Sequence, residues 1–146
     1  ERLKRRGSAR NHLLLANAYE VMNQLDKAAA QVQAALKLAP EDFVANLSEA
    51  VLLLKRGNDP GLLHPVEERL VKAAGALRNH PDPGQQLQFA VIGAIHHALT
   101  GDVNGARQVL KGVLEIDSDN EDAKAALQAL GAEPGQSESE SRAPST

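Results

Sequence analysis

The chain has neither cysteine nor tryptophan, and its aromatic residues are Tyr19, Phe43 and Phe89 alone. Without thiols, disulfides and thiolate metal sites are excluded, while the redox compartment stays open. No apolar run approaches the roughly 20 residues that cross a bilayer, and no signal-peptide pattern is present. The chain begins with Glu1 rather than Met and is read as a piece of a longer protein. Positive charge is not in surplus either. A formal net charge of −3 disfavours a general polyanion binder, because affinity for phosphate backbones rests on an excess of Lys and Arg. The charge is nevertheless uneven: Arg2, Lys4, Arg5, Arg6 and Arg10 crowd the first ten residues, whereas the segment from Gly131 carries Glu133, Glu138 and Glu140 against Arg142. The basic end lacks the interleaved aromatics of a single-strand binder and is read as a solvated helix face. Nucleophile elbow, Walker loop, HExxH and dinucleotide fingerprint are all missing from the sequence. No enzyme activity, cofactor or metal is therefore implied.

Alanine and leucine together make up almost a third of the chain, a helical composition poor in strand formers. Two stretches say nearly the same thing. "NQLDKAAAQVQAALKLAPED" places Leu25, Ala28, Ala29, Val32, Ala35 and Leu36 on one stripe of a helix. "TGDVNGARQVLKGVLEIDSD" does so with Val103, Ala106, Val109, Leu110, Val113 and Leu114. Each follows another helical stretch, "NHLLLANAYEVM" or "LQFAVIGAIHHAL", across a short polar turn. Helix, turn, helix is the repeating element.

His12-x2-Leu15-Ala16-x2-Tyr19, then Ala28-x3-Val32, then Pro40 resemble the tetratricopeptide repeat, whose pattern W-x2-L-G-x2-Y…A-x3-F…P spans about 34 residues. His12, Ala16 and Val32 depart from it. A further copy is carried by Ala90, Gly93, Ala94, His97, Ala106 and Leu110, with Ser118 at the place of the proline. Ala28 and Ala106, like Pro40 and Ser118, lie 78 positions apart, which is two periods of about 34 residues and ten more. A middle copy with an insertion is thus expected, and "FVANLSEAVLLLKRG" supplies its first helix. The insertion is placed mainly in a protruding loop over 58–64, with Pro65 opening the next helix and Glu67 and Glu68 in its first turn.

The resemblance implies an all-α superhelix, a solenoid of stacked antiparallel helix pairs. Its expected divisions are 1–8 as the end of an upstream helix, repeats over 9–42, 43–86 and 87–120, a capping helix over 120–130, and a disordered tail over 131–146. It also implies a concave groove, lined by first helices, that holds a peptide or helix of a partner protein. Carried over by position, the lining is Leu13, Asn17 and Glu20, then Val44, Leu47, Val51 and Lys55, then Gln88, Val91 and Ile95. Asn17 matches one member of the family's carboxylate clamp, but Leu13, Ser48, Gln88 and Ile92 stand where the others would be, which argues against a chaperone-tail binder.

The expected function is a non-enzymatic interaction scaffold. The alternative is a regulatory or oligomerising segment of a larger enzyme or sensor, with self-association through the ends of the array. His96 and His97 point about 100° apart on a helix and lack a third ligand at suitable spacing; His97, at the family's tyrosine position, is read as a packing residue. His64 and His80, each before a proline, are read as turn residues.

Overall fold

The computed structural model describes residues 2–57 and 60–131. Among them there is no strand. The chain runs through α1 (Arg2–Val21), α2 (Leu25–Leu38), α3 (Phe43–Lys55), a 3-10 turn (Pro60–Leu62), α4 (Leu63–Asn79), α5 (Pro83–Leu99), α6 (Val103–Ile116) and α7 (Glu121–Gly131). Consecutive helices pair, α1 with α2, α3 with α4 and α6 with α7, and α2 also packs on α3. Contacts divide the chain into two compact units, Glu1–Ile92 and Gly93–Thr146, with the boundary inside α5.

The turns recur at equivalent places in successive helix pairs. α1 closes through Asn23, whose φ is 58°, with Gln24 N–H donating back to the Tyr19 carbonyl at 2.8 Å. α5 closes through Gly101, φ 110°, with Asp102 N–H donating to the His97 carbonyl at 3.0 Å. Gly57, φ 111°, ends α3 at the corresponding place. A left-handed residue just past a helix satisfies its last carbonyls, and only Gly or Asn takes that conformation cheaply. The helix starts are equally local. Asp42, Asp82, Asp102 and Asn120 each accept, at 2.9 Å, the backbone N–H three residues on, opening α3, α5, α6 and α7. Such a side chain satisfies one of the donors that a helix N-terminus leaves unpaired. Pro40 and Pro81 follow the ends of α2 and α4, where a helix cannot continue.

The first unit holds two cores. Ala9 and Ala16 of α1, Ala28, Val32, Ala35 and Leu36 of α2, and Ala45 and Leu52 of α3 form one. Phe43, Leu47, Ala50 and Leu53 of α3 with Val66, Leu70, Ala73 and Leu77 of α4 form the other, which Phe89 and Ile92 of α5 also meet. α3 is therefore covered on two sides. Its fully buried Asn46 is satisfied: Nδ2 donates to the Pro40 and Asp42 carbonyls at 2.9 and 2.8 Å, and Oδ1 accepts from Arg69 at 3.1 Å. In the second unit, Ala94, Ala106, Leu110, Val113 and Ala123 are buried, and Arg107 of α6 donates to the Leu130 carbonyl of α7.

Four local expectations are corrected. Residues 2–8 are not a separate upstream element but the first turns of an unbroken α1. The inserted segment is not a free loop over 58–64, because Pro60–Leu62 form a 3-10 turn and Leu62 packs on the second core. Pro65 is the third residue of α4, not its first; the missing N–H costs no hydrogen bond there, since the first four N–H groups of a helix lack intrahelical partners. Of the expected tail over 131–146, Gly131 is instead the last residue of α7, and 132–146 lie outside the described residues.

Candidate partner-binding surface

The ten residues expected to line a groove fall into different environments. Asn17, Val44, Lys55 and Gln88 are exposed, and Leu13, Glu20, Val51 and Ile95 are half-buried. Leu47 and Val91 are core, with only 8% and 2% of their surface accessible. Leu47 faces α4 with Phe43, Ala50 and Leu53. Leu13 also leans on the first core. Ile95 belongs to the second unit.

Two of the ten are brought into direct contact. Lys55 Nζ of α3 donates to Glu20 Oε1 of α1 at 2.6 Å. An accessible pair of this kind contributes about 0–1 kcal/mol, so its consequence is one of register more than of stability. It joins the C-terminal ends of α1 and α3. One turn back from each partner stand Asn17 and Val51, which share those faces because residues three or four apart on a helix are neighbours. On α3 the strip continues through half-buried Ser48 to exposed Val44. Ser48 stands where Leu47 is expected: positions 44, 47, 51, 55 and 44, 48, 51, 55 both keep helical spacing, and packing against α4 buries Leu47 while Ser48 stays half-buried.

The histidines do not converge. His97 is exposed, not packed, and its ring meets His96 edge-on at 6.4 Å between centroids. His64 lies 3.4 Å from Glu68 on the surface of α4. His12 Nδ1 sits 2.6 Å from Gln31 Oε1, linking α1 to α2. Among the described residues no group of three or more His, Cys, Asp or Glu could hold a metal ion, and no helix is long and apolar enough to cross a membrane.

No family model matches the chain, and no curated protein does. Solved structures match it closely in fold. The first TPR of Spaghetti (RPAP3), bound to the HSP90 peptide SRMEEVD, superimposes with a TM-score of 0.63 at 14% identity, over 86% of this chain and 92% of that one. The Arabidopsis OM64 TPR domain gives 0.64 at 16% identity, over 86% and 96%. The second TPR domain of human RPAP3, in complex with the HSP70 peptide SGPTIEEVD, gives 0.61 at 14% identity, over 91% and 100%. These matches, the pairing of sequential helices and the recurrence of left-handed turns agree: the chain has the fold of a tetratricopeptide-repeat domain.

Proposed function

We propose that this domain is a non-enzymatic interaction module that holds an apolar or amphipathic segment of a partner protein along α1 and α3. The observation that carries the reading is the Glu20–Lys55 pair, which aligns a two-helix strip of Asn17, Val44, Ser48 and Val51. Support also comes from two solved structures of the same fold that hold peptides, SRMEEVD and SGPTIEEVD. Those peptides end in acids, whereas here the one cation of the strip is already paired to Glu20, and Leu13, Ser48, Gln88 and Ile92 bring no positive charge. A segment with an apolar side fits this strip better than an acidic tail.

The test is affinity purification of the tagged full-length protein beside its Val51→Asp and Ser48→Arg variants, with melting temperatures measured in parallel. Burying one valine against a partner is worth about 1.5–3 kcal/mol, so each variant should reduce recovery of a co-purifying protein by about tenfold or more. Melting temperatures should stay unchanged. Recovery equal to wild type would place the partner on another face.

A further inference from the structure

α1 and α3 occupy equivalent places one repeat apart, and their inner faces agree. Ala9 and Phe43 are both buried, as are Ala16 and Ala50, each pair separated by 34 positions. Their other faces do not agree. On α3, Ala45 and Leu52 are buried in the first core with Val32 and Ala35 of α2. The residues 34 positions earlier, Asn11 and Ala18, are exposed. Beside them on α1, Leu14 is 62% accessible and Leu15 46%, and Met22, just past the end of α1, is exposed as well. α1 thus carries the face by which α3 docks on a neighbouring helix, apolar and uncovered. It adjoins the strip proposed above at Leu14, three residues from Asn17, and turns away from it at Leu15, about 200° from Asn17 around the helix.

The charges at this face have one sign. α1 extends two turns beyond the start equivalent to α3; that extension presents Leu3, 84% accessible, among exposed Lys4 and Arg6, and exposed Arg10 follows it. None of these three cations is in an ion pair among the described residues. From 3 to 19, α1 has no Asp or Glu. An occupant must therefore offer an apolar stripe to Leu14, Leu15 and Ala18, and negative charge to the basic end. We infer that the outer face of α1 takes an amphipathic helix of a partner protein whose apolar stripe is flanked by acidic residues, docking along α1 as α2 docks along α3.

The test uses a fluorescent synthetic four-turn helical peptide with a leucine–alanine stripe and glutamates elsewhere, and its counterpart with lysines in place of the glutamates. Fluorescence anisotropy should detect binding of the acidic peptide alone, weakened by added salt as expected for exposed charges. Leu14→Asp with Leu15→Asp should reduce that affinity by about tenfold or more, whereas Val51→Asp should not change it. Arg6→Glu with Arg10→Glu should reverse the preference toward the lysine peptide, a gain that misfolding cannot mimic. The inference is overturned if neither peptide binds, if both bind alike, or if the double Asp variant binds as wild type. Sedimentation of the wild-type protein as a dimer that Leu15→Asp dissociates would overturn it too, by naming a second copy as the occupant.

Discussion

The two cores of the first unit are built from different materials. Between α1, α2 and α3 the buried residues are mostly alanines, Ala9, Ala16, Ala28, Ala35 and Ala45, with Val32, Leu36 and Leu52. Between α3 and α4 they are mostly large: Phe43, Leu47, Leu53, Val66, Leu70 and Leu77. Small side chains let helix backbones come together, so the space left for a larger residue is nearly nil. Large ones hold helices apart and fill the gap with their own volume. Interiors of either kind are packed like organic crystals, which makes the alanine core intolerant of additions and the leucine core intolerant of deletions. α3 has one face in each, and that double coverage explains why so few of its residues are free for a partner.

The largest effect should come from Leu47→Asp. A carboxylate placed among Phe43, Ala50, Leu70 and their neighbours would lose its hydration without a partner charge, a cost of several kcal/mol that is comparable to the whole stability of a small domain. Circular dichroism should show an unfolded or molten chain at ambient temperature. A cooperative melt near the wild-type temperature would mean that the second core opens toward solvent at Leu47.

Next come two substitutions of opposite direction. Leu70→Ala should cost about 2–5 kcal/mol, because the transfer free energy of the leucine is lost and a cavity remains. Ala28→Leu should cost about 1–3 kcal/mol by overpacking a position with no accessible surface. Exchanging the directions sharpens the contrast: Leu52→Ala deletes from the alanine-rich core and Ala73→Leu adds to the leucine-rich one, and together they report how far each core relaxes. Urea titrations of Leu70→Ala and Ala28→Leu supply both numbers, and a stabilised Ala28→Leu would show that the alanine core has unfilled room.

Much of this arrangement was legible in the sequence. The stripes at Ala28, Val32 and Ala35, and at Ala106, Leu110 and Val113, mark buried faces because a helical period needs no tertiary information to appear; these six are buried, whereas Val109, read on the same stripe, is 43% accessible. The turns at Asn23, Gly57 and Gly101 were readable for the same reason: left-handed backbone selects Asn and Gly locally. The fate of α3 was not. "VLLL" is apolar around the whole helix, so periodicity could not say that Leu47 turns to α4 while Val51 stays half-open. That depends on which two helices flank α3. The inserted segment misled for a related reason, since Pro60 and Gly61 announce a turn but Leu62 finds a core through tertiary packing alone.

A smaller effect tests the local code that starts α3. Asp42→Ala removes the side chain that accepts the Ala45 N–H and should cost about 1 kcal/mol, within a range of about 0.5–2. The backbone carbonyl of Asp42 accepts from Asn46 Nδ2, so loosening the first turn would also disturb the Arg69 contact. Hydrogen exchange should rise first at Ala45 and Asn46. Equal protection in the variant would mean that packing of Phe43 and Ala45 holds the turn without its cap.

The smallest effect is expected three residues from the largest, at Val44→Asp. Val44 is 41% accessible and lies in the first turn of α3, where unpaired N–H groups leave partial positive charge. An aspartate there gains about 0.3–1 kcal/mol from the helix dipole and loses part of the burial of a half-covered valine. The two terms are of similar size and opposite sign, so the melting temperature should barely move, as for most surface substitutions within about 0.5 kcal/mol. Leu47→Asp, one turn along the same helix, has no such compensation because it lies beyond the first turn and little water reaches it. The ratio of the two effects therefore reads out which face of α3 is covered. Losses of equal size would show that Val44 is packed as tightly as Leu47, and the strip proposed for a partner would then end at Ser48.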